Sequence, residues 1–78
     1  MNINGLTIKV GTTVLFRKEE KEFVGQVDYI EKGVFLRGTW GEEKLNPHVE
    51  NFSILRTHDG KLTHEGIAYN QAHPGNTV

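Results

Sequence analysis

The chain has 78 residues, with 9 Lys and Arg against 10 Asp and Glu, and it contains no cysteine. This length supports one small domain, and the lack of cysteine excludes a disulfide framework and thiolate metal sites. The balanced charge does not favour a phosphate-binding surface, for which an excess of Lys and Arg is typical.

Membrane insertion is not expected from the apolar patterning. The longest uninterrupted apolar runs are the three-residue segments 14–16 and 34–36, whereas a membrane span needs about 18 apolar residues. The N-terminal residues lack the basic flank and apolar stretch of a signal peptide. We therefore expect a cytoplasmic protein.

Short apolar segments separated by glycines and charged residues run along most of the chain. Such spacing is typical of a small β barrel or sandwich, and no stretch shows the apolar period of a helix. The predicted strands, in chain order, are residues 3–10, as a strand or an extended arm, and then 12–18, 23–31, 34–40, 52–57 and 61–65. Residues 40–43 are predicted to form a turn, and residues 44–51 a strand end followed by a tight turn.

The connections between these strands have recognisable turn signals. The mixed-charge run 17–22 cannot be buried, so it is expected to be an exposed loop. Gly33 suits the left-handed position of a short hairpin connection. Asn4-Gly5 and Pro47 mark two further turns. Asp59-Gly60 is a type I′ dipeptide, which predicts a C-terminal β-hairpin.

Alternation along the strands selects one set of apolar side chains for the interior. Gly25 interrupts the longest predicted strand and Gly38 interrupts its partner strand, and glycine is expected there where a strand bends or a neighbour approaches closely. Residues predicted to share one face are Phe23, Val27 and Tyr29. The predicted core is Val14, Phe16, Val24, Val27, Ile30, Leu36, Leu45, Phe52, Ile54 and Leu55.

The segment Gly25-Gln26-Val27-Asp28-Tyr29-Ile30 resembles the Gly-x-Val-x-x-Ile kernel of KOW, Tudor and related SH3-like barrels. The resemblance extends over roughly residues 11–56, with Gly11 opening an entry strand. It implies a five-stranded SH3-like barrel, to which the C-terminal hairpin would be an addition. A small OB-like barrel is the alternative. We assign residues 1–66 to the barrel domain and residues 67–78 to a C-terminal tail.

Catalytic and metal chemistry find little support in the sequence. Ser53 stands in mid-strand without a partner base, and the carboxylate pairs at 19–20 and 42–43 lie in exposed, charged stretches. His58 and His64 would point to opposite faces of the predicted hairpin, so they would not share a metal ion. We expect no enzyme activity, no cofactor and no metal.

Aromatic residues near strand ends favour protein binding. Tyr29 and Trp40 lie near the ends of the hairpin around residues 31–33, and such rings commonly anchor partner proteins. The alternative for Trp40 is that its ring plugs the end of the barrel. We therefore predict a non-catalytic binding module, by analogy with the small β proteins of phages and mobile elements that act as inhibitors or adaptors of larger host proteins. The predicted contact residues are Tyr29, Arg37, Trp40, Glu42 and Glu43.

Two alternatives come from other classes of function. The first is a nucleic-acid-binding barrel, in which basic residues contact phosphates and aromatics stack on bases. Its candidate residues are Arg17, Lys18, Lys32, Arg37 and Lys44. The second is a self-assembling protein, because exposed edge strands can pair between copies.

Overall fold

The computed structural model describes residues 2–3, 6–46 and 51–78. Within these ranges the chain is mostly extended and ends in one short helix. The elements are β1 (Asn2–Ile3), β2 (Leu6–Thr7), β3 (Thr13–Lys18), β4 (Lys21–Ile30), β5 (Val34–Gly38), β6 (Gly41–Leu45), β7 (Phe52–Arg56) and α1 (His64–Ala72). The predicted turns at Asn4-Gly5 and Pro47 lie outside the described residues.

Five of the strands form one antiparallel sheet in the order β6-β5-β4-β3-β7, and β1 pairs with β2 as a separate ribbon. The prediction of an all-β protein is confirmed. The closed barrel is wrong, because in the described ranges β6 and β7 each pair with only one strand. The sheet still curves, since Lys18 on β3 forms an ion pair with Glu43 on β6.

A β-bulge in β4 decides which side chains face outward. Asp28 is an extra residue between the pairs Val27–Leu36 and Tyr29–Phe35. A bulge of this kind shifts the alternation of side chains along a strand. Val27 is therefore buried, whereas Tyr29 is exposed to 39%. The prediction that Tyr29 shares the face of Val27 is wrong for this reason.

The core lies on one face of the sheet, which we call the inner face. Its buried members are Ile8, Val14, Phe16, Val27, Val34, Leu36, Leu45 and Ile54. Phe23, Trp40 and Phe52 are partly buried and pack against this cluster. Each fully buried side chain of this size contributes about 1.5–3 kcal/mol before entropy is subtracted.

Most of the predicted core is buried, but three positions differ. Ile30 is 38% exposed, because it lies at the end of β4 beyond the bulge. Val24 is only half-buried and lies on the opposite, outer face, paired with Leu15. Leu55 is fully buried, but it lies on the outer face beneath α1 rather than in the inner cluster.

The helix α1 replaces the predicted C-terminal hairpin. After the Asp59-Gly60 turn the chain folds back on β7 only as far as Thr63. The contacts are an isolated bridge between Arg56 and Leu62 and backbone hydrogen bonds from the Thr57 N–H to the Lys61 oxygen and from the Thr63 N–H to the Leu55 oxygen, and the helix begins at His64. The predicted strand 61–65 is therefore wrong. The side chain of Thr63 caps the helix by accepting a hydrogen bond from the Gly66 N–H at 3.0 Å, and this cap ends the extended conformation.

The C-terminal segment is docked on the sheet. Residues 67–72, which we assigned to a tail, continue α1, and the Val78 N–H donates to Asn70 Oδ1 at 2.7 Å. The Val78 carbonyl oxygen also accepts a hydrogen bond from Arg56 of β7 at 3.1 Å. These contacts attach the last residues to both the helix and the sheet.

The predicted charged loop 17–22 is a tight hairpin. β3 continues through Lys18 and β4 begins at Lys21, so only Glu19 and Glu20 form the turn. Both have a positive φ, of 52° and 65°, as a type I′ turn requires. The charged side chains are exposed, as expected.

Candidate functional site

The outer face of β4, β5 and β6 carries the residues from which we build the candidate site. Val34 and Leu36 of β5 point into the core, so Phe35 and Arg37 between and after them point outward. Helix α1 contacts β7 and lies over the other end of the sheet. We call this surface the aromatic face and define it by Tyr29, Phe35, Arg37, Glu42 and Lys44.

The first row of the aromatic face crosses three strands. Tyr29 of β4 pairs with Phe35 of β5, and Phe35 pairs with Lys44 of β6. The two rings are stacked, with centroids 4.2 Å apart and planes inclined by 12°. The Lys44 ammonium lies 5.6 Å from the centre of the Phe35 ring, within the range of a cation–π interaction. The rings are thus held in place before any partner arrives.

The second row of the aromatic face is a charge network around one arginine. Nη2 of Arg37 lies 3.1 Å from Oδ2 of Asp28 and 2.9 Å from Oε2 of Glu42. Glu42 is its cross-strand neighbour, and Asp28 is the bulged residue of β4. The bulge therefore has two effects, because it turns Tyr29 outward and it brings a second carboxylate to Arg37.

The electrostatic surroundings of Tyr29 are negative on balance. Partial burial and then the carboxylates of Glu42, Glu31 and Asp28 raise the pKa of the Tyr29 phenol above its ordinary value of 10.0, and Arg37 opposes them. The neutral phenol is thus the favoured form, and it keeps a hydroxyl donor at the surface. The aromatic face combines apolar rings with an acidic surround.

The structure divides the five predicted contact residues between two faces. Tyr29, Arg37 and Glu42 lie together on the aromatic face. Trp40 is half-buried on the inner face, where it makes edge-to-face contacts with Phe16 and Phe23 at centroid distances of 5.4 Å. Its indole N–H donates to the Val24 carbonyl oxygen at 2.9 Å.

Glu43 also lies away from the aromatic face. It pairs across the strands with the buried Leu36, and its carboxylate forms the 2.8 Å ion pair with Lys18. Phe35 and Lys44, which complete the aromatic face, were absent from the predicted protein-binding set. The sequence signal that could have found them is their spacing, since Phe35 and Arg37 alternate with the buried Val34 and Leu36.

The predicted basic residues do not form one patch. Arg17 Nε is 3.1 Å from Glu22 Oε1, Lys18 pairs with Glu43, and Arg37 is bound by two carboxylates. Lys44 lies over the Phe35 ring. Lys32 is exposed in the turn after β4, where it has a φ of 50°. Four of the five cations therefore already have a partner within the chain.

Two open grooves lie on the sheet, and both are shallow. One, of about 350 Å³, separates α1 from β3 and is lined by Leu15, Leu55, Tyr69 and His73 among others. The other, of about 530 Å³, runs from Gly25 and Gly38 to Val78. Across residues 2–3, 6–46 and 51–78, no three His, Cys, Asp or Glu side chains are grouped as metal ligands.

The comparisons with known proteins give no relative. No family model matches the chain, and neither a curated protein nor a solved structure matches it. No helix in the described part of the chain is long and apolar enough to cross a bilayer. Any functional assignment therefore depends on the geometry of the surface itself.

Proposed function

We propose that this protein is a non-catalytic protein-binding module whose contact surface is the aromatic face. The observation that carries the proposal is the stacked Tyr29–Phe35 pair on the outer side of the sheet, with Tyr29 39% exposed. Large aromatic side chains dominate the energetics of protein interfaces, and Tyr also supplies a polar hydroxyl.

The pre-ordering of this surface supports binding. Association costs about 0.5–1.5 kcal/mol for each flexible side chain that becomes immobilised. Here Arg37 is already fixed by Asp28 and Glu42, and the ring of Phe35 is fixed between Tyr29 and Lys44. Less side-chain freedom remains to be lost when a partner covers the face.

The charge pattern suggests the chemistry of the partner. After partial burial, the carboxylates of Glu42, Glu31 and Asp28 are the groups that raise the pKa of the Tyr29 phenol, so its surroundings are acidic. A partner that places an apolar side chain on the two rings and Lys or Arg side chains against these carboxylates would match the surface. We propose a larger host protein in the cytoplasm as this partner, with the module acting as its inhibitor or adaptor in the manner of phage-type proteins.

The resemblance to SH3-like barrels supports the same proposal at the level of fold. The five-stranded antiparallel sheet agrees with a small β fold of that general kind. Nucleic-acid binding through Arg17, Lys18, Lys32, Arg37 and Lys44 is the weaker proposal, because three of these residues, Arg17, Lys18 and Arg37, would have to leave ion pairs within the chain.

Affinity capture with three baits from the native host tests the proposal. The baits are the wild-type chain, the double variant Tyr29→Ser/Phe35→Ser, and the control Ile67→Ser, which removes an exposed apolar side chain from α1 instead. Loss of interface anchors of this kind typically costs 2 kcal/mol or more, about 30-fold in affinity. We expect a protein captured by the wild type and the control to be depleted at least about tenfold with the double variant.

Two outcomes would count against the proposal. Equal capture of every protein by all three baits would remove the aromatic face from consideration. Capture that is lost only with Ile67→Ser would move the contact surface to α1. A matched titration with single- and double-stranded oligonucleotides covers the alternative, since phosphate-driven binding falls steeply as salt is raised.

A further inference from the structure

Strand β6 is one edge of the sheet, and its backbone can be oriented from its hairpin with β5. Only Thr39 and Trp40 separate the pair Gly38–Gly41, so this pair must exchange its backbone hydrogen bonds. Hydrogen-bonded and non-hydrogen-bonded pairs alternate along an antiparallel ladder. Gly41, Glu43 and Leu45 therefore direct their N–H and C=O groups towards β5.

The backbone groups of Glu42 and Lys44 consequently point to the open side of β6. In the described ranges β6 has β5 as its single strand neighbour. The edge thus offers two N–H donors and two C=O acceptors, alternately spaced, from residues whose side chains carry opposite charges. Such an edge is a template for another extended strand.

A second copy of the same edge fits this template in one register. In a two-fold antiparallel pairing, residues with outward backbones must face each other. If the two-fold axis passes through Glu42, the Glu42 residues of the two copies face each other and repel. If it passes through Lys44, the two Lys44 residues face each other and repel. Centring it on Glu43 opposes Glu42 of each copy to Lys44 of the other, so both pairs are attractive.

We propose that the protein forms a two-fold dimer through β6, with Glu42 of each chain opposite Lys44 of the other. Each Glu42–Lys44 pair exchanges two backbone hydrogen bonds, so the sheets of the two copies join into one. The two Glu43 side chains meet at the axis on the inner face, and the ion pair of each with Lys18 at 2.8 Å offsets their repulsion.

The dimer does not require the proposed partner protein, but it would enlarge the surface that this partner contacts. A two-fold axis perpendicular to the sheet leaves both aromatic faces on the same side. The two copies of β5 would be three strand spacings apart, roughly 14 Å. The Tyr29–Phe35 pairs of the two copies would therefore form one wider surface.

Sedimentation velocity from micromolar to millimolar concentration tests the dimer. We expect the wild-type chain to move from 8.8 kDa towards twice that mass as concentration rises. Glu42→Lys and Lys44→Glu should each weaken self-association at least about tenfold, because each opposes like charges at both pairs. Glu19→Lys and Lys9→Glu, which make the same charge changes at exposed positions outside β6, should have no effect.

Mixing the two single variants gives the sharpest result. The Glu42→Lys chain and the Lys44→Glu chain oppose unlike charges to each other, so the mixture should form a heterodimer although neither variant dimerises alone. The double variant Glu42→Lys/Lys44→Glu should regain the dimer. Amide exchange of Glu42 and Lys44 should slow with concentration in the wild type and in the double variant.

Other outcomes would overturn the proposal. A wild-type chain that stays monomeric at millimolar concentration would contradict the dimer. A strand of another protein would then be the remaining candidate to pair with β6. A dimer that the single variants do not weaken would have to use a different surface. Circular dichroism on each variant shows whether its chain is folded, and failure of the mixed variants to associate would rule out this register.

Discussion

The indole of Trp40 lies directly over the bare α-carbon of Gly38. A β-carbon on Gly38 would be 2.8 Å from Cε2 of Trp40 and 2.9 Å from the Val24 carbonyl oxygen, which accepts the indole hydrogen bond. Both distances are shorter than van der Waals contact allows. Gly38, the last residue of β5 before the turn to β6, therefore makes room for the Trp40 ring that covers the end of the core.

Gly38→Ala should lower the free energy of unfolding by about 1–3 kcal/mol, the usual cost of overpacking. The added methyl group must displace either the indole or the backbone of β4. Gly75→Ala is the control, because a β-carbon there has nothing within 4 Å. Urea unfolding followed by Trp40 fluorescence measures the difference, and equal midpoints for the two variants would contradict this packing.

Val27→Asp should unfold the domain. Val27 is 2% exposed in the centre of β4. An unpaired buried carboxylate there would destabilise the fold by more than the free energy of unfolding of a domain this small. Gln26→Asp is the matched control, since the adjacent side chain is exposed on the outer face. A cooperative melt of Val27→Asp near the wild-type temperature would show that the core is wrongly assigned.

Thr63→Ala should detach or shorten α1. The Thr63 hydroxyl accepts a hydrogen bond from the Gly66 N–H and donates to the Ile54 carbonyl oxygen on β7. Loss of an N-cap costs about 0.5–2 kcal/mol, and Thr63→Ser should keep most of it. Far-ultraviolet circular dichroism during thermal unfolding measures both variants. Indistinguishable melts for Ala and Ser would mean that the cap does not stabilise the helix.

Tyr29 should titrate above its ordinary pKa of 10.0. Because the folded-state pKa is raised, the folded chain favours the neutral phenol. This contribution to stability is present below the unfolded-state pKa and is lost as the pH rises through the folded-state value. Partial burial contributes most to the raised pKa of Tyr29, and the Glu42 carboxylate contributes next. Glu42→Gln should therefore lower this pKa.

Tyrosinate absorbance measures this titration in a Tyr69→Phe background, where one of the two tyrosines remains. A Glu19→Gln chain controls for net charge, since it removes one carboxylate from a distant turn. If Glu42→Gln and Glu19→Gln moved the titration equally, the local charge network around Tyr29 would be absent.

Most of the strands and much of the core could be predicted from the sequence because their signals are local. Strand β6 is an exception, since it begins at Gly41, within residues 40–43 that the sequence assigns to a turn. Val34 and Leu36 alternate with Phe35 and Arg37, and the inner and outer faces of β5 follow from that spacing alone. The turn after β4 is where the sequence predicts it, but the residue in the left-handed region is Lys32, with a φ of 50°, whereas Gly33 has a φ of 155°. These features depend on near neighbours in the chain.

The bulge and the helix could not be predicted in the same way. Asp28 stands in a run of strand-like residues, and nothing in the local sequence marks it as the extra residue in the register with β5. Helix α1 lacks an apolar period and contains Gly66, which favours other conformations. Signals for it did exist, since Thr63 can cap, Glu65 stands in the first turn and Pro74 follows the end.

The candidate site could be predicted only in part, because residue types are visible in the sequence and tertiary packing is not. Tyr29, Arg37 and Glu42 were chosen by residue type, and the structure brings these three together. For Trp40 the sequence leaves two roles open, an exposed anchor or a plug at the end of the core, and the second is the one observed, because the ring packs over Gly25 and Gly38 on the inner face. Close packing of this kind depends on the tertiary fold, which a single strand does not encode.

The most direct test of the proposed binding face is amide chemical-shift mapping of the labelled chain with the captured partner. We expect the shifts of Tyr29, Phe35, Arg37 and their neighbours in β4, β5 and β6 to change, and the amides of α1 to stay unchanged. Changes confined to α1 and to the groove beside Leu15 would contradict it.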